Sequence, residues 1–227
     1  MPDRSDAGRQ RGGGDGAVKP LDVPSAGSVR EELAESWGAP LDRVRAKLSP
    51  VLHPWLREFI ALSPYVVLAT ADGRGRCDAS PRGGAPGFVR VLDERTLFIP
   101  EESGNRLLQT LGNLAESPGV GLLFLIPGMR ETARVNGRAE PVSRSDPRWA
   151  DLPLDDEERE RLLWGSLVHV EEAYYHCGRA SRFADLWNTA RIDRNQSDPP
   201  LAKRPATTAG GEKHVRHSGP VHGLLGG

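Results

Sequence analysis

A chain of 227 residues with 37% hydrophobic content carries enough apolar side chain for the core of one domain, which excludes wholesale disorder. The 30 Lys and Arg against 31 Asp and Glu leave a net charge of −1, so there is no support for nucleic-acid or anionic-membrane binding, both of which need a clustered basic field. The two cysteines, Cys77 and Cys177, form neither a disulfide framework nor a zinc-ligand spacing and read as reduced thiols of a cytoplasmic protein, and no apolar run reaches membrane-spanning length.

Residues 1–27 are charged and Gly-rich, too poor in large apolar side chains to offset the entropy of ordering, and read as a flexible leader without a secretory h-region. Residues 28–188 are expected to form the folded domain, and 189–227 a disordered tail. Ser28-Val29-Arg30-Glu31 is a capping-box pattern that opens a helix to about Leu48. Pro54 starts a second helix, which stops before Ser63-Pro64. Tyr65 to Thr70 is a short apolar strand, closed by the turn Asp72-Gly73 and paired with Cys77 to Ser80. Phe88 to Leu92 and Thr96 to Pro100 are two further strands. Gly104 to Glu116 reads as a helix, with Leu107, Leu108, Leu111 and Leu114 at helical spacing. Val120 to Ile126 is a buried strand. Thr132 to Glu140 alternates, with Ala133, Val135, Gly137 and Ala139 on one face, as in a half-buried antiparallel strand. A charged helix follows at about Asp155 to Leu163, then a strand near Ser166 to Ala173 and a closing helix near Tyr174 to Leu186. The spacing of short strands and tight turns predicts a mainly β fold, an antiparallel and nearly closed barrel with flanking helices, rather than a doubly wound parallel sheet.

Three segments concentrate chemistry. In Asp78-Ala79-Ser80-Pro81-Arg82-Gly83-Gly84 a hydroxyl and a guanidinium fork sit beside glycines that let a ligand approach the backbone, which suits an anion such as phosphate; a plain surface turn is the alternative. Pro100-Glu101-Glu102-Ser103-Gly104-Asn105-Arg106 opens a helix, where free amides and a positive dipole end suit phosphate, or simply form an ordinary capped start. His176-Cys177 to Trp187 gathers a histidine, Arg179, Arg182 and an indole that either stacks on a flat ring or packs. Cys177 reads as a buried thiol rather than a nucleophile. Gly-x-Ser-x-Gly and His-Glu-x-x-His motifs are absent from the sequence.

Phe59-Ile60-Ala61-Leu62-Ser63-Pro64, Val67 to Thr70, Asp78 to Gly83, Pro86-Gly87-Phe88, Leu97 to Pro100, Gly104-Asn105-Arg106, Asn113, Leu123 to Gly128, Arg134 to Ala139, His176-Cys177 and Leu186-Trp187 follow in an order that resembles the pyridoxamine 5'-phosphate oxidase-like, FMN-binding split-barrel proteins. The resemblance covers about Leu52 to Trp187. It implies a six-stranded antiparallel split barrel, a homodimer with the flavin at the interface, and an FMN-dependent oxidoreductase acting on a small-molecule substrate. It places Arg82, Asn105 and Arg106 at the phosphate. Ser80, Pro81, Ile99 and Pro100 would line the flavin, with Asn113 as a further polar contact. Arg182 and Trp187 fall on the cofactor or substrate side. Asp185-Leu186-Trp187-Asn188 departs from the Trp-Arg-Leu segment of the vitamin B6 oxidases, so the substrate stays open. The alternatives are a non-catalytic flavin-binding protein, or the same fold holding deazaflavin or haem, the last with His176 or His169 as axial ligand.

Overall fold

The structure, a computed structural model, describes residues 25–39, 41–102 and 108–200. The chain divides into two units, Met1–Ser49 and Pro50–Gly227. In the first lie α1 (Ala26–Trp37) and α2 (Asp42–Arg45). The expected single helix to Leu48 is therefore two. Its cap is Ser25, whose hydroxyl accepts from the Ser28 amide at 3.3 Å, while Ser28 Oγ bonds back to the Ser25 carbonyl at 2.9 Å. A serine one turn earlier thus outcompetes the Ser28 capping box.

In the second unit α3 (Pro54–Leu62) starts at a proline whose missing N–H costs nothing in a first turn. The strands are β1 (Tyr65–Ala71), β2 (Cys77–Gly83), β3 (Arg90–Val91), β4 (Thr96–Glu101), β5 (Gly119–Leu125), β6 (Thr132–Ser143) and β7 (Trp164–His176). Between them lie α4 (Gln109–Glu116) and α5 (Asp156–Arg161); α6 (Arg179–Phe183) and α7 (Thr189–Ser197) follow. All pairings are antiparallel, in the order β2-β1-β5-β6-β7-β4-β3. This is the mainly β architecture expected, with seven strands rather than six because Arg90–Val91 adds a two-residue edge strand.

Strand alternation decides which side chains go inside. Val66 and Leu68 of β1, Leu122 and Phe124 of β5, Ala133 and Val135 of β6, Val168 and Val170 of β7 and Leu97 and Ile99 of β4 face a common core, joined by Leu56, Phe59 and Ile60 of α3 and Leu114 of α4. Burying each large apolar side chain contributes roughly 1.5–3 kcal/mol. A second cluster lies under the excursion between β6 and β7: Phe98, Val142, Trp149, Leu152, Leu154, Leu162 and Leu167. β4 is sandwiched between the clusters, so Leu97 to Pro100 are buried on both faces. At the register shift between Asn136 and Gly137, β7 carries an extra residue. Only glycine fits there, since a Cβ on Gly137 would overlap the His169 carbonyl oxygen.

Several boundaries differ from those expected. Tyr174 to His176 extend β7 instead of opening the closing helix, because they pair with Arg134 to Thr132. The Phe88 to Leu92 strand shrinks to the two residues that pair with Phe98 and Leu97. The expected tail from residue 189 begins as α7, whose cap is Asn188 Oδ1, accepting from the Arg191 amide at 2.9 Å; residues 201–227 lie outside the described residues. Among the described residues no helix is long and apolar enough to cross a membrane. Both cysteines are free and exposed, Cys177 against the burial expected of it, because it follows the end of β7 rather than packing in the core.

Candidate functional site

Alternation along β2 puts Asp78, Ser80 and Arg82 on one face and Ala79 and Pro81 on the other. β2 is a sheet edge, so the N–H that Pro81 lacks is not missed. Arg82 lies opposite Val66 and reaches across the open seam of the sheet to Glu101, at the end of β4. Its Nε and Nη2 donate to Glu101 Oε2 at 3.2 and 3.0 Å. Its Nη2 also reaches Thr110 Oγ1 on α4 at 3.1 Å. Its Nη1 donates to Ser80 Oγ at 2.8 Å and to the Pro81 carbonyl at 3.0 Å. Five bonds fix the guanidinium where β2, β4 and α4 meet. Leu108 enters α4 beside this corner with φ of 49°, a conformation strained for leucine. Asn113, one turn after Thr110, is buried and donates to Thr70 Oγ1 at 3.0 Å, which ties α4 to β1.

This corner opens onto a cleft of about 410 Å³, lined by Arg82, Gly83, Gly84, Pro86, Phe88, Arg90, Pro100, Glu102, Glu158 and Arg161 among others. Its cations are paired: Arg90 with Glu158 at 2.6 Å, and Arg161 with Glu102, which raises the Arg161 guanidinium above its ordinary range. Asp155 and Glu158 exchange hydrogen bonds with each other's backbone amides, so this acidic stretch is a capping box at the start of α5.

A second cleft of about 560 Å³ lies on the opposite face of the sheet. Val67 and Ala69 of β1, Leu123 and Leu125 of β5 and Arg134 and Asn136 of β6 form one wall, and Ala180, Ser181, Ala184 and Leu186 form the other, with His176 and Cys177 at the junction. The α6 segment is pinned over the sheet through the turn after β5. Trp187 Nε1 donates to the Met129 carbonyl at 2.7 Å, and Ser181 Oγ to the Arg130 carbonyl at 3.1 Å. Gly178 lies so close to Arg130 that a Cβ would overlap it.

The structure therefore brings Ser80, Pro81 and Arg82 together, with Pro100 on the same cleft and Asn113 one helical turn away. Ile99 is buried in the core. Arg182 and Trp187 belong to the segment over the other cleft, where Trp187 is a strut and Arg182 stacks on Phe183 at 5.2 Å, on a ring that Arg179 also covers at 5.5 Å. Among the described residues no lining residue is common to both clefts. Asn105 and Arg106 lie outside the described residues. Sequence reasoning missed Thr110 and Glu101 as partners of Arg82, although Glu101 stands in a motif it singled out. It also missed Arg134 and Asn136 as cleft residues, although both stand in one of the segments that carry the resemblance.

The sequence model of the family described as Pyridoxamine 5'-phosphate oxidase matches residues 52–176, more than half of the chain. No curated protein matches. Among solved structures, an FMN-binding protein from Syntrophomonas wolfei is 15% identical over 66% of this chain and 95% of its own, with a TM-score of 0.41. HutZ, the heme storage protein from Vibrio cholerae, is 16% identical over 56% of this chain and 94% of its own, at 0.41. A protein related to general stress protein 26, of the pyridoxinephosphate oxidase family, from Clostridium acetobutylicum is 12% identical over 53% of this chain and 84% of its own, at 0.40.

Proposed function

Because the chain belongs to the pyridoxamine 5'-phosphate oxidase family, we propose that it is a cytoplasmic FMN-binding flavoprotein, an oxidoreductase that acts on a small molecule as a homodimer. The observation that carries this is the corner where the Arg82 guanidinium, the Ser80 hydroxyl and the Thr110 hydroxyl converge beside Gly83 and Gly84. That donor set has the chemistry a phosphate monoester needs, a bidentate cation with neutral donors at its flanks. Arg82 holds the phosphate, and Glu101 is the group it exchanges, since the fork cannot serve both anions with the same nitrogens. Ser80 and Thr110 keep the guanidinium oriented. Asn105 and Arg106, outside the described residues, are the further phosphate contacts in this reading, Arg106 with a charge and Asn105 with a neutral amide. Bound flavin would supply the redox chemistry, and the protein supplies position and electrostatics.

A second reading has one observation in its favour. His176 lines the apolar cleft under α6, where its imidazole could ligate a haem iron. His169 sits elsewhere, with Nε2 3.3 Å from Glu140 Oε1. The test is the absorption spectrum of purified protein after addition of excess FMN and desalting. Flavin bands retained in the visible support the proposal, and their absence refutes it. A Soret band after the same treatment with haemin, lost in His176→Ala, supports the second reading instead.

A further inference from the structure

We propose that the cleft under α6 binds a small, planar, apolar anion, whose charge is received by Arg134. Its walls carry small side chains among leucines. Ala69 faces it from the sheet, and Ala180 and Ala184, four apart on one helical face, from the roof. Small side chains on both walls make room for a flat ring rather than a branched chain.

The charge pattern is what singles out an anion. Among the described residues no Asp or Glu lines this cleft. Arg134 is half-buried, with its guanidinium 5.3 Å above the Tyr174 ring centroid. It makes no ion pair among the described residues, whereas Arg82, Arg90 and Arg161 each hold a glutamate. Its neighbour Asn136 is neutral and donates from Nδ2 to Glu172 Oε1 at 2.8 Å, which engages that carboxylate on the adjacent strand. A cation that lines the cleft with no ion-pair partner of its own leaves a place that a ligand carboxylate or sulfonate completes.

The inference rests on the proposed function only in naming this occupant as substrate; the binding itself needs no flavin. The experiment therefore uses full-length, flavin-free protein and two fluorescent probes of nearly the same shape. One is 1-anilinonaphthalene-8-sulfonate; the other is the neutral N-phenyl-1-naphthylamine. Both are titrated into the wild type, Arg134→Met and Arg134→Lys. The methionine keeps the apolar stem and deletes the charge. The expected result is a loss of about tenfold in anionic-probe affinity in Arg134→Met, the size of one charge-assisted hydrogen bond. The neutral probe stays within about twofold, and lysine restores most of the loss. Should Arg134→Met fail to fold, salt decides on the wild type: screening weakens only the anionic probe. Equal loss of both probes in folded Arg134→Met, or no salt dependence specific to the anion, overturns the proposal. Flavin retention is read from its own spectrum, so failure here and failure of the FMN reading are separate results.

Discussion

Arg82→Ala tests the proposed phosphate corner. The substitution deletes a guanidinium that makes five hydrogen bonds, to Glu101, Ser80, Thr110 and the Pro81 carbonyl. Its side chain and that of Glu101 are only 18% and 17% exposed, so water does not replace it freely. A lost hydrogen bond from a charged donor costs about 1.5–3 kcal/mol, which is about 10- to 150-fold in Kd for FMN. The folded protein also loses stability, because Glu101 is left without its cation. Glu101→Gln separates the two effects. It keeps an acceptor for Arg82 and removes the negative charge that competes with phosphate, so FMN binds as well as before or more tightly. The assay is flavin fluorescence quenching on both variants and on Arg82→Ala/Glu101→Gln, with melting curves alongside. FMN affinity in Arg82→Ala within about twofold of wild type, or equal weakening in Glu101→Gln, refutes the assignment.

Gly137→Ala drives a methyl into the His169 carbonyl at the bulge, where backbone must move; a destabilisation of about 1–3 kcal/mol or more is expected from the denaturant midpoint, and a neutral result would mean the register shift is misplaced. Trp187→Phe deletes the bond to the Met129 carbonyl while keeping an aromatic ring; amide exchange across residues 178–188 should quicken by the equivalent of about 0.5–1.5 kcal/mol, with the global melting point nearly unchanged. Asp146 and Glu140 both accept from Arg148, and Glu140 from His169 as well; the Arg148 side-chain bonds hold Asp146 down to about 2 from 3.8 and lower Glu140. The folded protein therefore binds fewer protons than the unfolded chain, so this stabilisation is full above the unfolded values and is lost as pH falls through the folded ones. Asp146→Asn should flatten the fall in melting temperature between about pH 5 and pH 2, and an unchanged slope would remove Asp146 from the account.

The parts of the fold legible in the sequence are those where local pattern and tertiary demand coincide. The alternation in Thr132 to Glu140 is the burial pattern of β6, and the apolar run after Ser117-Pro118-Gly119 is β5. Tyr174 to His176 misled because their neighbours suit a helix, while their place is fixed by Thr132 to Arg134 on another strand. Ser28 misled because two serines compete for one helix start. At the site, Arg82 and Ser80 were visible as a short motif on one strand. Glu101 and Thr110 complete that corner from β4 and α4, and proximity across a sheet seam leaves no mark in local sequence. The second cleft was less legible still. Arg134 looks like any solvated residue of an alternating strand until α6 is placed over it.

The position of β7 in the sheet carries a consequence for synthesis. β4 finds its long partner only in β7, from Thr96 opposite His169 to Glu101 opposite Trp164, and its other neighbour is the two-residue β3. While the nascent chain emerges, β1, β2, β5 and β6 can zip into a ladder as soon as each appears. Leu97, Phe98 and Ile99 must wait, apolar on both faces, until the last strand has left the ribosome. The sheet pairing that spans the most chain is therefore that of β4 with β7, and the hydrophobic stretch left open longest during synthesis is Leu97-Phe98-Ile99.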